Sequence, residues 1–113
     1  MHELSLANSV VQILCEEAQR HQIRHVTRYR VEVGLLRAVV PELLVTCLGF
    51  ASKGTAVEGA DVQMHEVQGR ARCPDCGLEF AVDEIVFLCP RCERVGGEIV
   101  AGQELRVTEL EGE

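Results

Sequence analysis

Tryptophan is missing from the chain, and aromatic residues are scarce: Tyr29, Phe50, Phe80 and Phe87 are the whole set. A core built from this sequence is therefore aliphatic. An excess of positive charge is missing too. Eleven Lys and Arg stand against eighteen Asp and Glu, a formal charge of −7. Phosphate backbones and anionic lipid are bound through neutralising Lys and Arg, so neither nucleic acid nor a membrane surface is an expected partner. Metal ions and basic protein faces suit the chain better. No apolar run approaches the ~20 residues of a membrane span, and no basic segment leads into an apolar one as in a secretory signal. These absences predict a cytoplasmic protein. In that compartment six cysteines are metal ligands or buried thiols before they are disulfides.

What is present is enough for one domain, or one domain carrying a small inserted module. From Leu4 the pattern is helical: Leu4, Ala7, Val11, Leu14 and Ala18 recur at three- and four-residue steps, widened by Val10 and Ile13. This predicts a helix over about 5–21, with Met1 to Glu3 just before it at a surface end. In "VTRYRVEVG" the residues Thr27, Tyr29, Val31 and Val33 alternate with Arg28, Arg30 and Glu32, the period of a half-buried strand. A second helix starts at Pro41, where a missing amide costs nothing, presents Leu44, Cys47, Leu48 and Ala51, and stops at Lys53-Gly54. Weaker strands are expected over 61–68 and 104–110. The class is α+β: a small three-stranded sheet with two helices, interrupted by a zinc-ribbon-like excursion over 71–98 with glycines at its ends (Gly69, Gly96, Gly97). The remaining 1–70 and 99–113 form the main domain.

The excursion carries the strongest chemical signal. Cys73-x-x-Cys76 and Cys89-x-x-Cys92 are twelve residues apart. Each CxxC turn puts two thiolates on one side of a tight knuckle, and two knuckles complete a tetrahedron of sulfur. That donor set suits structural Zn(II), with an iron–sulfur centre or a redox dithiol as the alternatives. Pro74 and Pro90 stiffen the knuckles, and Gly77 follows the first where a positive φ is often required. No histidine and no fifth cysteine lies inside the module, so no open catalytic position is visible. Arg72, Arg91 and Arg94 face six acidic residues over 71–98, which argues against a nucleic-acid ribbon.

A weaker signal sits at the start, "MHE". An ordinary surface histidine is the plain reading of His2. A histidine in second place has another option: the α-amine, its own amide nitrogen and its imidazole Nδ1 close a five- and a six-membered ring on one metal. With a fourth nitrogen, such as the Glu3 amide, such a set is square-planar and suits Ni(II) or Cu(II). The Glu3 carboxylate could ligate or brace the imidazole. A large residue after Met1 predicts that Met1 is retained.

The stretch "MHELSLA", the strand ending at Gly34, "VPELL", "KGTAVEGA" and CPDC…CPRC together, in this order and over essentially the whole chain, resemble the HypA/HybF family, the nickel metallochaperones of hydrogenase maturation. The resemblance implies a nickel-binding domain that carries Ni(II) through Met1, His2 and Glu3, and structural Zn(II) on Cys73, Cys76, Cys89 and Cys92. It also implies a non-enzymatic carrier that works with a HypB-type GTPase to load the large subunit of nickel–iron hydrogenase, and in some members urease maturation proteins. Two departures stand out. "LLRAVV" follows Gly34 where a polar Ser-Gly stretch is usual, and Glu93 stands where the second knuckle often has glycine. Neither touches a ligand. The rival from another class is a zinc-ribbon interaction adaptor that handles no nickel.

Other candidates are plainer. Cys15 and Cys47 lie on or near apolar stripes and read as buried small hydrophobes. His21 and His25 flank the end of the first helix, where they complement its dipole. His65 is a strand residue, with an auxiliary nickel ligand as its less ordinary reading.

Overall fold

The computed structural model describes residues 2–113. Its elements run α1 (His2–Arg20), β1 (Val26–Gly34), a 3-10 turn (Leu35–Arg37), α2 (Pro41–Ser52), β2 (Asp61–Val67), β3 (Arg70–Arg72), β4 (Glu79–Ala81), β5 (Glu98–Ala101) and β6 (Leu105–Gly112). The strands form two three-stranded sheets, ordered β2-β1-β6 and β4-β3-β5. The α+β class read from the sequence is the one observed. The second sheet has no counterpart in that reading, because three- and four-residue strands are too short to show a period.

Contacts divide the chain into two compact units. One holds the chain up to Glu32, then Val39–His65 and Arg106–Glu113. In it α1 packs on α2: Ala7, Val10, Val11, Leu14 and Ala18 are buried from the first, Leu44, Cys47 and Leu48 from the second. Leu4 and Ile13, expected in the same stripe, are exposed. The first helix starts at His2 rather than near residue 5. Hydrophobic periodicity is blind to polar first turns, whereas the carboxylate of Glu3 favours the positive end of the helix. The helix stops at Gln22, which takes a left-handed φ of 59°. The Ile23 amide there donates to the Ala18 carbonyl (2.8 Å) and the Gln22 amide to that of Gln19 (3.2 Å), a paired closure of the last carbonyls.

β1 is the centre of its sheet, and its alternation slips by one residue from the expected pattern. Val26 is buried and Thr27 is exposed, its hydroxyl donating to the Glu111 carbonyl at 3.3 Å, while Tyr29, Val31 and Val33 point inward as expected. On its polar side Glu32 accepts from Arg106 (2.7 Å), and Arg28 reaches Glu111 (3.0 Å) and Glu109 (3.5 Å). His25 exchanges backbone bonds with Glu113, tying down the chain end.

The other unit holds Val33–Ala38 and Glu66–Leu105, wider than an excursion over 71–98. Its small core explains why. Leu36 is buried against Ala71 and Val82, with Phe80, Phe87 and Ile99 packed around them and the two phenylalanine rings edge to face at 5.7 Å. Around Leu36 the backbones of Gly34, Gly69 and Gly102 approach so closely that a side chain on any of the three would overlap its neighbours. Gly69 is therefore a packing point. The Leu36 amide completes the contact by donating to the Gly102 carbonyl at 2.8 Å. Leu36 comes from the "LLRAVV" stretch, so the residues that follow β1 supply core to this unit.

Truncating that side chain tests the arrangement. Leu36→Ala should destabilise this unit by about 2–4 kcal/mol, the usual cost of a buried leucine. Hydrogen exchange should quicken at the β3 and β4 amides and stay unchanged within α1; uniform protection in both units would refute Leu36 as core.

Candidate metal centre

Two reverse turns built alike bring the four module cysteines together. In the first, the Cys73 amide donates to the Leu78 carbonyl (2.9 Å) and the Gly77 amide to that of Cys73 (2.8 Å). In the second, the Cys89 amide donates to the Arg94 carbonyl (2.9 Å) and the Glu93 amide to that of Cys89 (2.9 Å). Every partner is displaced by sixteen residues, so the knuckles are copies of one another. Gly77 and Glu93 hold equivalent places, and both are left-handed, with φ of 76° and 62°. A glutamate in that conformation is strained by its Cβ, which Gly77 lacks.

All four sulfurs lie within 4.8 Å of one another. The pairs Cys73–Cys92 and Cys76–Cys89 stand at 3.3 and 3.6 Å, too far for a bond between them and close to the roughly 3.8 Å that separates sulfurs around a tetrahedral ion with ~2.3 Å bonds. Cys73 and Cys89 are buried, Cys76 is half-buried and Cys92 exposed. Such a set closes around one ion and leaves no position for substrate.

The local charges prepare the same result. The Leu78 amide, then the Arg91 guanidinium, pull the Cys76 thiol down to about 6. The Cys92 amide lowers Cys89 as well. Cys92 itself goes the other way: the Arg94 amide lowers it, but the sulfurs of Cys73, Cys89 and Cys76 outweigh that and push it up to about 12. Four thiolates this close repel one another, so protons must leave as a cation enters. Two arginines brace the pair of knuckles. Arg91 donates to the Cys76 carbonyl at 2.7 Å, and Arg94 pairs with Asp75 at 2.8 Å. The sequence shows these residues only as charges; which carbonyl or carboxylate they reach is a matter of how the turns face each other.

The candidate residues at the chain start are placed differently. Met1 lies outside the described residues. His2 opens α1 with an exposed ring, and Glu3 follows it half-buried. The Glu3 carboxylate accepts the Val40 amide at 3.2 Å, just ahead of α2. That bond, then the bond from its own amide, holds its pKa below the usual carboxylate range. The first amides of a helix have no carbonyl to donate to within it. Among the described residues, the four cysteines are the only group of three or more potential ligands that converges. His65 is exposed on β2 and belongs to no such group. The His21 ring lies 3.5 Å from the Glu17 carboxylate, just past the end of α1. His25 does not serve the helix end: its ring bonds to the Glu58 carbonyl at 2.9 Å. Cys47 is buried as expected, and Cys15 is half-buried. Neither helix of the described chain is long and apolar enough to cross a membrane.

Comparison with known proteins agrees with this arrangement. Residues 1–112 match the family described as HypA, hydrogenase/urease nickel incorporation, metallochaperone. A protein named hydrogenase maturation factor HypA from a Geobacter species is 44% identical over 111 residues, covering 98% of both chains. One of the same name from Rippkaea orientalis is 35% identical, covering 98% of this chain and 95% of its own. The fold is similar to the solution structure of the Ni metallochaperone HypA from Helicobacter pylori, with a TM-score of 0.74 over 99% of this chain and 97% of that one, at 24% identity.

The strain at Glu93 gives a test of the knuckle geometry. Glu93→Gly should raise stability by about 0.5–1 kcal/mol, since glycine takes a positive φ without penalty. Thermal unfolding of the metal-loaded protein reads this directly; a fall in stability would mean that Glu93 is not left-handed in solution.

Proposed function

The chain belongs to the HypA family of nickel-incorporation metallochaperones, and from that premise we propose that its N-terminus is the nickel site and its four-cysteine cluster a structural zinc site. The cargo is Ni(II). The α-amine of Met1, the amide nitrogen and imidazole Nδ1 of His2 and the amide nitrogen of Glu3 supply four nitrogens in one plane, the geometry that Ni(II) favours. The supporting observation is the position of His2: an exposed ring on the first residue of a helix, where the backbone amides carry no helical bond. The Glu3 side chain, engaged by Val40, orients the first turn and contributes its backbone rather than its carboxylate.

The chain's own contribution to transfer is an exposed chelate that protons or a rival ligand can open. Acidification protonates the imidazole and the amides and releases the ion. A partner that offers better ligands to a docked carrier takes the ion by exchange. In this reading a HypB-type GTPase assists, and the receiver is the large subunit of nickel–iron hydrogenase, with urease maturation proteins as a further client. The work is cytoplasmic. No bond of a substrate is made or broken, so the chain is a carrier and not an enzyme.

Zn(II) fits the cysteine cluster on its donor set: four thiolates, closed and tetrahedral, a preference it shares with iron–sulfur centres. Bound there, it ties together two knuckles that rest on a small core, Leu36, Ala71 and Val82 with Phe80, Phe87 and Ile99 around them.

Two measurements test these assignments separately. Tag-free protein with a free α-amine on Met1 should bind Ni(II) as a yellow, diamagnetic, planar complex that is lost below neutral pH. His2→Ala and an N-terminally acetylated chain should both lose it; unchanged binding and spectrum in the acetylated chain would refute the N-terminal chelate. Metal analysis should give about one zinc per chain, and Cys73→Ala should unfold the second unit while leaving α1 protected. A folded, zinc-free second unit would refute the structural role.

A further inference from the structure

Beside α2 the first unit encloses a cavity of about 220 Å³. Val45, Leu48, Gly49 and Ser52 form its helical wall, at the spacing that puts residues on one side of a helix. Tyr29 of β1 and Val57 of the loop after α2 close it, together with the start of β2. That loop is held in place. The Val26 amide donates to the Ala56 carbonyl (2.8 Å) and the Gly54 amide to the Glu58 carboxylate (2.6 Å), while the His25 ring bonds to the Glu58 carbonyl. The walls are therefore preformed, as those of ligand sites usually are.

Gly49 keeps the space open. It lies inside the helix, where glycine is a poor helix former. It has no positive φ, and a Cβ at this position would meet nothing within 4 Å. Neither backbone conformation nor packing within the described chain requires it. A larger residue at this point of α2 would occupy the cavity itself.

Two hydroxyls give the cavity its chemistry. Tyr29 is only 3% exposed, and its hydroxyl makes no hydrogen bond among the described residues. No wholly enclosed side-chain oxygen there lacks a partner, so this one opens onto free space, and the cavity is the space that Tyr29 lines. Burial pushes its pKa up to about 12, which keeps it a neutral donor. Ser52, also buried, donates to the Leu48 carbonyl at 2.6 Å. Its proton is thus engaged, and its oxygen is left to accept. None of the lining residues is charged, so an ionised ligand would enter without a counter-charge and a neutral one is favoured. An apolar cavity of roughly 150 Å³ already takes benzene. This one has room for a six-membered ring and a substituent.

We propose that this cavity is a binding site for a neutral phenol, with its ring against Val45, Leu48 and Gly49 and its hydroxyl between Tyr29 and Ser52. A phenolic oxygen accepts from Tyr29 and donates its own proton to Ser52, which satisfies both hydroxyls at once. A hydrocarbon of the same size satisfies neither, and water alone leaves the aliphatic wall wet. The phenol arrives either as a free small molecule or as a tyrosine side chain of a partner, since the chemistry recognised is the same. The site shares no residue with the N-terminal chelate or the cysteine cluster, so it stands apart from the nickel reading.

Amide chemical shifts of tag-free, zinc-loaded protein, followed by NMR during titration with p-cresol, read it. Saturable shifts should centre on Tyr29 and on residues 45–62. Toluene, the same ring without the hydroxyl, should bind roughly tenfold more weakly, about what one lost hydrogen bond costs. Tyr29→Phe should weaken p-cresol by a similar factor and leave toluene unchanged. Gly49→Leu should abolish binding of both while raising thermal stability, a pairing of effects that a general folding defect does not produce. N-acetyl-tyrosinamide separates the two sources of the phenol. If it binds as p-cresol does, a tyrosine side chain of a partner fits; if it is excluded while p-cresol binds, the ligand is a free phenol. A chain that shows no saturable shift with p-cresol, as a cavity that takes water only would, overturns the proposal. So does p-cresol binding that Tyr29→Phe and Gly49→Leu both leave unchanged.

Discussion

Four sulfurs held within 4.8 Å of one another are the constraint on which the second unit depends. The cluster is unstable as bare thiolates because like charges repel, and it is costly as four thiols because amides and Arg91 are aimed at ionised sulfur. Raised acidity at Cys76 and suppressed acidity at Cys92 are two sides of that conflict. A divalent cation resolves it. The sheet β4-β3-β5 and the contact of Leu36 with Ala71 and Val82 then have fixed knuckles to build on, which strands of three and four residues could not provide for themselves.

The first unit answers to a different rule. It has two helices and a nine-residue central strand, which together bury an aliphatic core. The helix begins at the second residue, which leaves His2 exposed on a frame held by the buried stripe from Ala7 onward. Glu3 bridges to Val40, so the first turn of α1 and the entry to α2 are positioned together.

The division of labour matches the chemistry of the two donor sets. Four thiolates enclose an ion and leave it no exit. In the proposed nickel site, an amine, two amides and an imidazole leave it open to solvent and to protons. The arginines of the knuckles, Arg91 and Arg94, serve the closed site by locking turn to turn.

Much of this was legible in the residues. The apolar stripe of α1, the proline opening α2, the Lys53-Gly54 stop and the paired CxxC turns each follow from local geometry, which repeats wherever the same pattern occurs. The closeness of the four sulfurs was legible for the same reason, because each CxxC turn is local and closing two of them on one ion gives a tetrahedron. What tertiary structure alone decided are the relations between distant segments. Leu36, which no sequence pattern marked, became core because Gly34, Gly69 and Gly102 let three backbones meet. The Glu3 carboxylate went to the Val40 amide, His25 to the Glu58 carbonyl, and Glu93 into a left-handed turn. A sequence states which groups seek a partner; which partner lies within reach depends on how the chain has folded back, and no local period carries that information.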